Sequence, residues 1–429
     1  MRARQLAGQI TADPQPQFLQ QVCSQRLLGL LPLKQLAAQL RALWRQNGNV
    51  LWLEPLHVTA QNIGVFDAIT VRQRRIRINL TLELEGQIAD FSCNAESFER
   101  DFASVLESLK GLGGEVGVCC WELNSEGPRE LFSHQPERAF SVASLYKLYV
   151  LGAIVKSARW EDSLVLSQAT RSFPTGILHH WPDGCPLTVQ SLTTLMISLS
   201  DNTAAEVLLQ HLGKPLVEEM IAEMGHSNPA LLSPLLSSLD HLRLKSDAER
   251  CPSFLAQEIP GRRAMLEELA QLPRSRVGIP SGPTHLEVGW WATPADLCRA
   301  LAWLSNSSQA RQTLQVNPGL PVNRARWVGF GFKGGSEPGA LGAAWLLEHA
   351  DGRLYTLAAA WNNAVDGVQE SRFFSLLENL LWLLPEGNIG PDSDSLFPMS
   401  WQTRPWWSRF FPAWRNRQEQ ANPSQNGPS

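Results

Sequence analysis

Charge is scarce in this chain. Of its 429 residues 18% are charged, and 37 Lys and Arg stand against 41 Asp and Glu for a net charge of −4. A polyanion finds no basic footprint here, which argues against nucleic acid as a partner. The arginine cluster Arg72, Arg74, Arg75 and Arg77 alternates with apolar residues and reads as the solvated face of a strand. Paired C-x-x-C spacing is also missing. The seven cysteines, two of them adjacent at Cys119 and Cys120, fit neither a zinc nor a redox site, so free, mostly buried thiols are expected, with no metal and no cofactor. No run of about 20 apolar residues occurs. The opening MRARQLAGQITADPQPQ lacks the continuous apolar stretch of a signal peptide, so the expectation is a cytoplasmic protein, or a periplasmic one if the true start lies upstream.

A 44% hydrophobic composition with 16 Trp suits a large globular chain, and the length implies two domains or more. Residues 1–15 read as a flexible N-terminus. Two helical patterns follow within 18–47, the second marked by Leu36, Leu40, Leu43 and Trp44 and stopped by Asn47-Gly48. RIRINLTLELEG then alternates, placing Ile76, Ile78, Leu80, Leu82 and Leu84 on one face of a strand, and Gln87 to Cys93 forms another run. Residues 16–95 are thus expected to be an α+β module of two helices on a small antiparallel sheet.

A second unit, 96–388, opens with the helical stripe Phe98, Phe102, Val105, Leu106 and Leu109. The strand EVGVCCWEL comes next, then a long helical middle. RARWVGFGFKGG and a hairpin around Asp351-Gly352 follow, before a closing helix with Phe373, Leu376, Leu377 and Leu380. This order reads as one α/β/α domain. In the tail, 389–429, Trp401, Trp406, Trp407, Phe410, Phe411 and Trp414 lie among Arg404, Arg409, Arg415 and Arg417. That pattern suits either peripheral contact with a membrane or folding back onto the protein, and the final dozen residues read as disordered.

The chemistry concentrates in three short strings. Ser144-Leu145-Tyr146-Lys147 starts a run, LYKLYVLGAIV, that is apolar on nearly every side, so Lys147 belongs to a buried helix one turn from Ser144. Burial disfavours the ammonium form and supplies a neutral amine able to act as a base. Ser200-Asp201-Asn202 precedes a helix; Thr203 and Glu206 read as its capping box, leaving Ser200 free. Lys333-Gly334-Gly335 ends a strand and runs into Ser336. Gly329, Gly331 and Gly334 also spell G-x-G-x-x-G, but strand follows strand here and no helix start is available to hold a pyrophosphate.

In this order the three strings resemble the S-x-x-K, S-D-N and K-T-G set of penicillin-binding proteins and class A β-lactamases. Pro174-Thr175-Gly176, Gly184, PLTVQSLTTLMISLSDNTAAEVLL and Gly331-Phe332-Lys333 extend the likeness, which spans roughly 98–385. It implies a five-stranded antiparallel sheet with an all-helical subdomain, and an insertion around 240–290. Together with the leading module, that insertion looks similar to the two-domain serine hydrolases of the clavulanic acid biosynthesis type, which carry a cystatin-like or steroid-isomerase-like first domain.

The resemblance also implies roles. Ser144 would be the nucleophile, Lys147 its base, Ser200 a proton shuttle, and Lys333 a cation that depresses Lys147 and attracts a substrate carboxylate. Backbone N–H groups of Ser144 and Ser336 would form the oxyanion hole. Asn202, Gly334 and Gly335 would line the substrate, and Asp201 would brace the turn. Two departures matter. Gly334 stands where the family has Thr, and no E-x-x-L-N follows the S-D-N helix; SPLLSSLDHLRLK lies there, with Asp240 as a helix cap. The expectation is a serine hydrolase for a small acyl substrate, ester or amide, with weak or absent β-lactam turnover. The alternatives are a β-lactamase or D-alanyl carboxypeptidase, and a binding or sensor protein with a vestigial site.

Overall fold

The computed structural model describes residues 16–384 except 49, 60–62, 73, 84–85, 98, 100, 158, 248, 273–276, 281 and 324–325. Residues 1–15, Leu84, Phe98 and the aromatic and arginine-rich tail lie outside the described residues. The chain divides into two units between Ser104 and Val105, inside the helix Phe102–Lys110, whereas the sequence pattern opened the second unit at 96; the last described residues, from Leu381, group with the first unit.

The first unit carries three helices, Pro16–Val22, Gln25–Leu30 and Leu33–Asn47, where two were expected. The extra break has a local cause. Ser24 leaves the first helix, donates its N–H to Ile88 O and caps the second by accepting from Leu27 N. Four strands follow as an antiparallel meander: β1 (Val50–Thr59), β2 (Ile63–Thr70), β3 (Arg74–Leu82) and β4 (Ile88–Ser97). On β3, Ile76, Ile78 and Leu80 are buried, as alternation demands, in a core with Leu19, Leu27, Leu36 and Leu40. The arginines of β3 correct the solvated-face reading. Arg75 is buried, and Arg77 donates twice to Asp67, its register partner on β2, at 2.9 Å each. Asp67 is itself fully buried, and a carboxylate out of water needs such cations.

The second unit is built on a five-stranded antiparallel sheet of order β11-β12-β13-β5-β6. These five are β5 (Glu115–Asn124), β6 (Gly127–His134), β11 (Trp327–Glu337), β12 (Ala340–His349) and β13 (Leu354–Asn362); two separate short pairs are β7 (Phe140–Ser141) with β10 (Trp291–Ala292) and β8 (Ser163–Val165) with β9 (Pro186–Thr188). The helix Pro294–Leu304 packs on the sheet through β5, β12 and β13. The closing helix, from Glu370, packs through Phe373 on Trp361 and Phe374 on Trp345. Ser238–Lys245 packs on Asn202–Leu212, which together with Val189–Ser198 and Lys214–Glu223 packs on Lys147–Ser157. That central helix is buried from Lys147 to Ile154, as its unbroken apolar run requires. The stretch 240–290 adds the helices Arg250–Leu255 and Ile259–Ala270. All seven cysteines are free thiols.

Candidate active site

A short 3-10 turn, Ala143–Tyr146, delivers Ser144 to the start of the central helix, where the backbone N–H of Lys147 donates to Ser144 O. Ala143 has φ +45, an uncommon conformation for a side-chain-bearing residue that bends the chain just before the serine. Ser144 is partly exposed; Lys147 is completely buried. Lys147 Nζ reaches Ser200 O at 2.6 Å, Asn202 Oδ1 at 2.7 Å and Ser200 Oγ at 3.2 Å. None of these contacts is to Ser144.

Ser200 sits between two lysines. Its Oγ also accepts from Lys333 Nζ at 3.0 Å, and Lys333 is 1% exposed and additionally donates to Gly334 O. Burial pushes the Lys147 amine well below its usual value, the Lys333 charge pushes it further, and Asp201 and Glu206 oppose the shift. Burial lowers Lys333 to about 7. The physical meaning is that one dry compartment cannot hold two ammonium ions.

The Ser200 turn is held from outside the motif. Ser200 has φ +55; Thr175 Oγ1 donates to Ser200 O at 2.7 Å, and Asn202 Nδ2 donates to Phe173 O at 3.0 Å. Asp201 is the N-cap of Asn202–Leu212, accepting from Ala204 N, and its other oxygen accepts from Ile177 N and Leu178 N. The expected Thr203/Glu206 capping box is therefore corrected. Aspartate caps as well as threonine, and here it starts the helix two residues earlier. Thr203 Oγ1 instead donates to Ser172 O, and Glu206 accepts from Leu239 N at 2.8 Å. Burial raises Glu206 to about 7, with Asp240 the next cause. Asp240 completes a capping box with Ser237, and the oxygen that does so, Oδ2, also pairs with Lys214.

Strand β11 does not end at Lys333-Gly334-Gly335 as expected; it continues to Glu337 on the sheet edge. Gly335 presses against the Ser144 turn: a Cβ there would sit 2.2 Å from Val142 O and 2.9 Å from Ser144 N. Ser336, the next residue, is exposed. A Cβ on Gly334 would lie 2.8 Å from Phe332 Cζ, so this ring occupies the space a threonine would fill. Of the eight chosen positions, Lys147, Ser200, Asn202 and Lys333 are joined by hydrogen bonds, Gly335 lies against the Ser144 turn, and Gly334 and Ser336 flank Gly335 on the strand. Thr175, singled out in the sequence without a role, supports the S-D-N turn; residues missed from the sequence include the Phe173 carbonyl behind that turn, together with Ser141, Lys245 and Glu337. Among the described residues no cluster of metal-ligating side chains occurs.

A serine turn and two buried lysines thus lie together against β11, at the edge of the five-stranded sheet. The Beta-lactamase enzyme family matches residues 97–372, well over half of the chain, and the protein belongs to that family. A β-lactamase of Rhodobacter capsulatus is 30% identical over 148 residues, 33% of this chain and 48% of that protein, so the chain spans about half the length of the curated relative it matches. Among solved structures, a β-lactamase from Sphaerobacter thermophilus DSM 20745 has a TM-score of 0.47 and 22% identity, covering 69% of this chain and 97% of that one. PBP-A has a TM-score of 0.43 and 13% identity, covering 67% and 99%.

Proposed function

We propose that the protein is an acyl hydrolase that forms an acyl-enzyme on Ser144 and prefers esters to β-lactams. The observation that carries this reading is the position of Ser200 Oγ between Lys147 Nζ and Lys333 Nζ, a proton path inside a dry compartment. A neutral amine has two N–H donors and one lone pair. With Lys333 donating to Ser200 Oγ, the Ser200 proton is left to face Lys147. As substrate arrives, Lys147 takes the Ser144 proton while Ser144 Oγ attacks the carbonyl, contacts of this kind tightening only in the complex. The oxyanion would rest on the N–H groups of Ser144 and Ser336. Ser200 passes its proton to the leaving group as the carbonyl–heteroatom bond breaks and regains one from the Lys147 ammonium, which leaves Lys147 neutral again. Water, activated by Lys147, then cleaves the acyl-enzyme and restores the Ser144 hydroxyl.

Two observations support the ester preference. Gly334 provides no hydroxyl for a substrate carboxylate, and the Phe332 ring makes that spot apolar. The only carboxylate foreseen after the S-D-N helix, Asp240, spends Oδ2 on its cap and on the Lys214 ammonium, and an ion-paired capping carboxylate is a poor base for deacylating a penicilloyl adduct. For the first unit, three helices on a four-stranded antiparallel meander support the cystatin-like or steroid-isomerase-like reading, and with it the clavulanic-acid-type subgroup.

Intact-mass spectrometry after a fluorophosphonate probe should show one adduct, absent in Ser144→Ala and strongly reduced in Lys147→Ala. Short-chain nitrophenyl esters should turn over faster than a chromogenic cephalosporin. An adduct that survives Ser144→Ala overturns the mechanism, and faster cephalosporin turnover overturns the preference.

A further inference from the structure

Beside the lysine compartment lies a second buried ionic cluster. Glu337 Oε2 accepts from Lys245 Nζ at 2.6 Å and lies 3.3 Å from His241 Nε2; Glu337 Oε1 accepts from Ser141 Oγ at 2.9 Å. Lys245 and His241 belong to the helix Ser238–Lys245, Ser141 stands three residues before the nucleophile, and Glu337 follows Ser336 on β11. Gly289 closes over the cluster: a Cβ there would lie 3.5 Å from Ser141 Oγ and 3.7 Å from Glu337 Oε1. The backbone of Ser141 is pinned as well, its N–H donating to Asn362 Oδ1 and its carbonyl accepting from Asn362 Nδ2. Ser141 is a hub on which strand β13, the strand edge and a helix converge.

We propose that Glu337 is a positioning residue that sets the gap between the Ser336 N–H and the Ser144 turn, and so the width of the oxyanion hole. The inference rests on the acylation reading above. Gly335 allows β11 to approach the turn, but a missing Cβ only permits closeness; it does not maintain it. Glu337, two residues on and pointing to the same side of the strand as Gly335 and Lys333, supplies the tether. One oxygen fixes the turn that carries the nucleophile, and the other fixes β11 to a separate helix, so neither can drift alone. A charge-assisted pair out of water holds such a geometry more firmly than an apolar contact.

Ser141→Ala tests the tether without leaving a charge unpaired, because Glu337 keeps Lys245. Kinetics with a nitrophenyl ester should show kcat reduced about tenfold with KM within about twofold. Affinity for a phenylboronic acid, whose tetrahedral adduct on Ser144 needs the same hole, should fall by the factor lost in kcat/KM. Glu337→Gln should lose at least as much, and the double variant no more than Glu337→Gln, since both act through one contact. A merely structural cluster gives the other result: lower melting temperature with wild-type kcat and boronate affinity, which overturns the proposal. A wild type that neither turns over the ester nor binds the boronate overturns the acylation reading and this inference together. An active wild type beside unaltered variants overturns this inference alone.

Discussion

Lys147 and Lys333 are ammonium groups taken out of water, and burial disfavours the charged form of each. Both amines are depressed from 10.5, Lys333 to about 7. Between about 7 and 10.5 the unfolded chain therefore binds a proton at Lys333 that the folded chain does not. Stability should rise with pH across that window, the reverse of an ordinary paired lysine. Relative to wild type, Lys333→Met should be more stable below pH 7 by up to about 5 kcal/mol, and the gap should close toward pH 10.5. Urea denaturation at several pH values checks this; a gap independent of pH would refute it. Activity follows the same groups. The proposed mechanism needs Lys147 neutral and Lys333 charged, so kcat/KM should decline as pH rises through about 7. Lys333→Arg keeps its charge throughout, and its weaker activity should retain a plateau well above that pH. Ser200→Ala should leave phosphonate labelling detectable while lowering ester turnover about 100-fold or more, the range of one general acid–base step.

Among the elements, β11 does the most with the fewest side chains. Gly335→Ala would put a methyl 2.2 Å from Val142 O, a backbone atom that cannot swing aside, so the strand must retreat from Ser144. Loss of one oxyanion donor costs ~2.7–4 kcal/mol of transition-state stabilisation, and kcat should fall by about two to three orders of magnitude. Gly278→Ala, where nothing lies within 4 Å, is the matched control and should be silent. Gly334→Thr alone should lower the melting temperature, because Phe332 is trapped between that new side chain, Gly319 and Trp345. Paired with Phe332→Leu, it should raise the penicillin acylation rate ~10-fold, the worth of one hydrogen bond to a charged group. An unchanged rate would show that the missing hydroxyl is not what limits β-lactam binding.

The same strand shows what the sequence could disclose. S-x-x-K, S-D-N and K-G-G are contiguous strings, and a buried lysine in an apolar run announces its own chemistry. Glu337 and Lys245 are 92 positions apart, and Ser141 and Asn362 are 221 apart; a tether of that reach leaves no local pattern. The Asp201 cap was missed for a subtler reason. T-x-x-E and D-x-x-A both open a helix there, and the choice was made by Ile177 and Leu178, whose N–H groups needed the second aspartate oxygen. Arg75 was misread because its partner, Asp67, stands on the preceding strand, which periodicity on β3 alone does not reveal.

At the scale of the whole chain the apolar residues form separate cores. Leu19, Leu36, Ile76 and Ile78 belong to one, and Leu148, Leu192, Met220 and Leu301 to another, with no residue in common. Cooperativity follows shared burial, so the two cores should melt as two transitions and not as one. Covalent labelling distinguishes them. A phosphonate on Ser144 stabilises only the folded state that builds the oxyanion hole, so calorimetry should show one transition moving up while the other stays fixed. Ser144→Ala treated with the same probe should show neither transition moving. If labelling shifts both transitions together, or if the chain melts in one two-state step, the units are energetically coupled and the first is part of the apparatus that holds the site.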